Sequence, residues 1–178
     1  MIALSTIFKY LSLIGSFAVV GSLLAMGFLL LDSHGKLSTS AKKLRTMLWI
    51  SGLTWTIGSI GVILFTLATI LDQPLSFALD STVLRSFLTQ ITLGQYLLFQ
   101  TLVALVITFA SIRVNKILTV IALLILTFIG LIAPIFQSHS ASGGSHGLAI
   151  GSLVIHVVAL SLWVGGVITL AILEPEDR

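Results

Sequence analysis

The chain has no cysteine and very little charge. Without a thiol there is no disulfide, no thiolate metal site, no iron–sulfur cluster and no thiol nucleophile. Charged residues make up 8% of the 178 positions, too few to cover the surface of a soluble domain. Asp32, Asp72 and Asp80 fall at the ends of apolar runs, so there are no paired carboxylates inside the membrane. No activated nucleophile and no phosphate-binding loop stand out either, and no enzymatic activity is expected. The net charge of +3 carries no sign of a nucleic-acid partner.

What is there is apolar surface. Hydrophobic residues make up 57% of the chain and the mean hydropathy is +1.16. This composition belongs to an integral membrane protein of one domain, residues 1–178, with the lipid bilayer as its first partner. The run Tyr10–Leu31 is longer than a signal-peptide core and ends in Asp32-Ser33-His34 without a small-residue cleavage site. It is expected to stay as a membrane helix.

A helix needs about 20 apolar residues to cross the hydrocarbon layer. The charges divide the chain into about five such spans, near residues 7–31, 47–71, 93–112, 117–136 and 147–173. Pro134 and the stretch SHSASGGSH separate the last two. The fold expected is an all-α, polytopic transmembrane helix bundle. Lys36, Lys42, Lys43 and Arg45 are assigned to the first loop, and Arg113 and Lys116 to the third. The positive-inside rule makes these loops cytoplasmic, with the N-terminus outside and the C-terminus inside. Asp72–Gln90 is either a short interfacial helix capped by Asp80 or Ser81, or an irregular apolar loop. Small residues at Ala18 and Ser22, at Gly21 and Ala25, and the face Ser51–Trp55–Ser59 are expected to serve helix packing.

Three of the four histidines crowd between Ser138 and Gly166; His34 falls in the basic loop and is expected to be solvated. His139 and His146 flank Gly143-Gly144 in a polar loop on the extracytoplasmic side. His156 lies about 10–15 Å below that surface, counting 1.5 Å per helical residue. It is expected to face the bundle, with Ser152, Leu160 and Trp163 within about 40° of it. Gly165-Gly166 would allow close packing further down. Neutral imidazole is a ligand for copper, zinc, iron or nickel. An ionisable group inside a span is a functional candidate by default. The plainer alternatives are polar loop residues for His139 and His146, and an interhelical hydrogen bond for His156. If His146 and His156 share a straight helix they are about 15 Å apart and cannot bind one ion. Either the loop folds inward or the histidines form successive sites.

The stretch HSASGGSHGLAIGSLVIHVVALSLWVGG resembles the copper resistance D family of membrane proteins, in the actinobacterial form often fused to a cytochrome c oxidase assembly domain. The family pattern has a Gly-His pair, a second histidine before the next helix and a third within it, then Leu-Trp-Val-Gly-Gly. His139, His146, His156 and the run Leu162-Trp163-Val164-Gly165-Gly166 match it, while Ser138 replaces the glycine. LTQITLGQYLLFQTLVALV resembles the start of another family helix. Relatives continue with further helices, so the chain looks like the N-terminal part of such a protein.

The resemblance implies copper ions, of either valence, as the cargo, with His139, His146 and His156 as ligands and Trp163, Gly165 and Gly166 in support. It also implies a bacterial plasma membrane. The implied partner is an extracytoplasmic copper-binding protein or a cytochrome c oxidase assembly factor. Met26 and Met47 lie toward the cytoplasmic side, so no methionine-rich copper motif faces the outer loop. Two other functions compete: a b-type haem electron carrier, and a structural subunit without a ligand.

Overall fold

The computed structural model describes residues 2–29, 41–138 and 146–173, and every regular element among them is a helix. In chain order these are α1 (Ile2–Leu29), α2 (Ala41–Leu71), α3 (Leu75–Ala78), α4 (Ser81–Gln90), α5 (Thr92–Ser111), α6 (Ile117–Ile132), α7 (Ile135–Ser138) and α8 (His146–Leu173). Four are long and apolar enough to cross a membrane, within Ala3–Phe28, Lys43–Leu71, Thr92–Ser111 and Leu148–Ile172. The fold is thus an all-α polytopic bundle.

The fourth apolar run is divided. α6 has 16 residues, about 24 Å, which is short of the hydrocarbon thickness. Pro134 has no N–H to offer the carbonyl of Gly130, so the regular helix ends at Ile132 and resumes as α7. The start of α2 also differs from the expected loop. Lys42, Lys43 and Arg45 belong to the first turns of this helix.

Asp72–Gln90 contains two short helices. α2 ends in a Schellman motif: Gln73 N–H donates to the carbonyl of Ala68 and Asp72 N–H to that of Thr69. Asp72 takes the left-handed position at φ 51°, one of the few side chains that tolerate it. Asp80 then caps α4, its carboxylate accepting from Thr82 N–H at 2.9 Å and Val83 N–H at 3.1 Å. Phe87 anchors α4 in a small core with Ile63, Leu67, Ala78 and Leu97.

α1 is the centre of the bundle and packs on α2, α6 and α8, while α2 packs on α5 and α5 on α6. In its apolar window α1 is 67% buried, against 17% for α8. A helix surrounded on several sides cannot be one-faced, and Gly15 through Leu23 are all buried. The main core joins Val19, Val20, Leu23 and Met26 of α1 to Leu48 and Trp55 of α2 and Ile107 of α5. Small residues on α1 and α2 let the backbones approach. Ser51, Trp55 and Ser59 are all buried, as packing residues should be.

Buried hydroxyls are mostly satisfied within their own helices. Ser22 donates to the carbonyl of Ala18, Thr101 to Leu97, Thr108 to Ala104 and Thr127 to Leu123. This removes the cost of a polar group in an apolar interior without needing a neighbour.

Candidate functional site

α8 begins at His146 and runs 28 residues to Leu173, about 42 Å of helix. His156 is ten positions beyond His146, so the two are about 15 Å apart along one axis. Ligand bonds of about 2 Å cannot join both rings to one ion. On this helix the two histidines are successive positions. His139, the loop through Ser145 and the side chain of His146 lie outside the described residues.

The direction of His156 follows from how α8 docks. Among the described residues of α8, the buried positions are Ser161, Gly165 and Thr169, one turn apart. Gly165 lies against the Phe17 carbonyl and the Gly21 amide, where a Cβ on either glycine would collide with backbone. This is close small-residue packing of the kind lipid-embedded helices use. His156 is nine residues before Gly165, about 900° of rotation, which places it on the opposite side of the helix.

The structure accordingly leaves His156 exposed. This corrects the expectation that it faces the bundle: the glycine contact with α1 claims the other side of α8. Ser152 is exposed with it, Leu160 is half-buried, and Trp163 is 71% exposed. The two glycines also part company. Gly165 makes the close approach, whereas a Cβ on Gly166 would meet nothing within 4 Å.

Among the described residues no three His, Cys, Asp or Glu side chains gather into a metal site. A b-type haem needs two histidines facing each other at one depth. His146 shares α8 with His156 at a different depth, and His34 and His139 lie outside the described residues.

One feature was not legible in the sequence. Arg45, counted among loop charges, is carried by α2 into a cleft beside the end of α5. The only sequence signal for it is the run Arg45, Trp49, Gly52, Thr56, at helical spacing on one face of α2.

Comparison with curated proteins and with solved structures finds no match. Comparison with protein families finds one, to the copper resistance protein D-like N-terminal domain, over residues 1–149. The match takes in His139 and His146 and ends in the first turn of α8, before His156 and Trp163. A helical bundle with membrane-spanning elements and a family match over most of its length lead to one assignment: the chain is a copper-related membrane protein and belongs to the copper resistance protein D-like family.

Proposed function

We propose that the protein binds copper ions at its extracytoplasmic face and passes them into the bacterial cell membrane, with no covalent chemistry of its own. His139 and His146 accept the ion, and His156 receives it about 15 Å further along α8. The observation that carries this reading is the position of His156. It is an ionisable ring deep in a membrane-spanning helix of a copper-family protein, turned away from α1 and exposed. An imidazole so placed has no structural task toward α1. The route then follows the outer side of α8, marked by Ser152, His156 and Trp163. Imidazole suits Cu(II), and a pair of histidines also holds Cu(I).

The test is His156→Asn, which keeps hydrogen-bonding capacity but ligates copper poorly. The variant should fold, since even a lost transmembrane hydrogen bond averages only about 0.6 kcal/mol. It should bind copper at the outer face yet lose copper-dependent growth. Normal copper handling by a well-expressed His156→Asn protein would remove the relay. His139→Ala and His146→Ala should each weaken copper binding, and the double variant should be little worse than either, as for ligands of one site. Unchanged affinity in the double variant removes the outer loop from the mechanism.

A further inference from the structure

The bundle has a strongly basic end that none of the copper chemistry uses. It is formed by the start of α2, the end of α5 and the short connection to α6. Lys43, Arg45, Arg113 and Lys116 all lie there. The described carboxylates, Asp72 and Asp80, sit at the opposite end, beyond the C-terminus of α2.

α2 and α5 approach closely at Gly52, where an added Cβ would press on Thr108. Thr56 and Thr108 meet one turn deeper, their oxygens 3.4 Å apart. Toward the basic end a cleft of about 480 Å³ opens between the two helices, lined by Arg45, Thr46, Trp49, Ser111 and Ile112. Arg45 and Trp49 continue the Gly52–Thr56 face of α2, so the helix surface that seals the interface deeper down lines the cleft here.

Two observations say what fits the cleft. The Nε of Arg45 is buried and has no hydrogen-bond partner among the described residues. A buried guanidinium N–H without an acceptor is costly, and the guanidinium fork matches phosphate. The rim, by contrast, is apolar and open: Trp49 is 41% and Ile112 63% exposed. A ligand with a phosphate head and hydrocarbon tails satisfies both, the tails running along the lipid-facing surface. Ser111 is buried and its hydroxyl hydrogen is committed to the carbonyl of Thr108 at 2.6 Å, so toward a ligand it presents lone pairs and Arg45 remains the donor.

We propose that this cleft is a binding site for the phosphodiester head group of an anionic phospholipid in the leaflet on the basic side. Basic pockets between transmembrane helices hold anionic head groups in this way. Trp49 sits at the level expected of an interfacial aromatic. The site is independent of the copper path along α8, so the two can fail separately.

The experiment measures lipid bound to the purified full chain in detergent by native mass spectrometry, with phosphatidylglycerol and phosphatidylcholine offered together and inorganic phosphate as a third arm. The wild type should retain phosphatidylglycerol over phosphatidylcholine. Arg45→Gln should cut that preference about fivefold, the equivalent of about 1 kcal/mol for one basic side chain at the surface. Lys9→Gln, at the opposite end, should leave it unchanged. Ile112→Trp, which narrows the mouth and keeps every charge, should also lower retention, and it serves if Arg45→Gln does not fold. Equal retention of both lipids by the wild type, or full preference in Ile112→Trp, overturns the proposal. Displacement of the lipid by millimolar inorganic phosphate assigns the site to free phosphate and overturns it as well.

Discussion

Gly165 and Gly166 are neighbours in sequence, yet the structure gives opposite expectations for enlarging them. A side chain at Gly165 runs into the Phe17 carbonyl and the Gly21 amide. Both are backbone atoms in the middle of α1, which cannot rotate aside as a side chain would. Forcing extra carbons into such a contact costs about 1–3 kcal/mol. At about 1.4 kcal/mol per factor of ten, Gly165→Leu should raise the undocked population of α8 roughly 5- to 150-fold. Gly166→Leu meets open space and should change it less than about twofold. The absence of native cysteine gives a clean reporter. Ser161 is fully buried one turn before Gly165 on the same side of α8, so Ser161→Cys should react slowly with a maleimide in detergent and report each opening of the α1–α8 interface. Gly21→Leu should accelerate labelling as Gly165→Leu does, because each glycine faces the other's backbone. Equal labelling rates for Gly165→Leu and Gly166→Leu would refute this docking geometry, and with it the outward direction of His156.

The buried hydroxyl pairs make a second contrast. The oxygens of Ser12 and Ser59 are 3.2 Å apart, joining α1 to α2, and a double-mutant cycle to alanine should give a coupling of about 0.6 kcal/mol in unfolding. Thr56 and Thr108 already donate to the carbonyls of Gly52 and Ala104, leaving no hydrogen for each other, so the Thr→Val cycle should give almost none. Asp80→Ala removes the cap of α4 and should speed hydrogen exchange at Thr82 and Val83, with about 1 kcal/mol of local stability lost. For orientation, an impermeant thiol reagent on intact cells should label Ser142→Cys and spare Lys42→Cys; the reverse pattern inverts the topology. Copper binding at the outer loop should fall below about pH 6, because free imidazole protonates near 6.5 and the protonated ring does not ligate.

Composition and charge spacing were enough to settle that the chain is an all-α membrane protein, because lipid leaves the backbone almost no other choice. They also located the long apolar helices, since breaks are local chemistry within a few residues, and they offered Asp80 or Ser81 as the cap of a short helix beside the alternative of an irregular loop; the structure selects the helix and Asp80. The sequence placed His156 deep in a span for the same reason: depth is a count along one helix. Direction is not. Gly165 and Gly166 look equally fit for close packing, and only the meeting with Gly21 of α1, more than a hundred residues away, selects Gly165 and turns His156 outward. The cleft at Arg45 is likewise invisible in one dimension. It exists because α2 and α5 touch at Gly52 and Thr108 and separate toward their basic ends. Periodicity along a helix is written in the order of its residues, whereas which face meets a neighbour depends on the shapes of two helices at once.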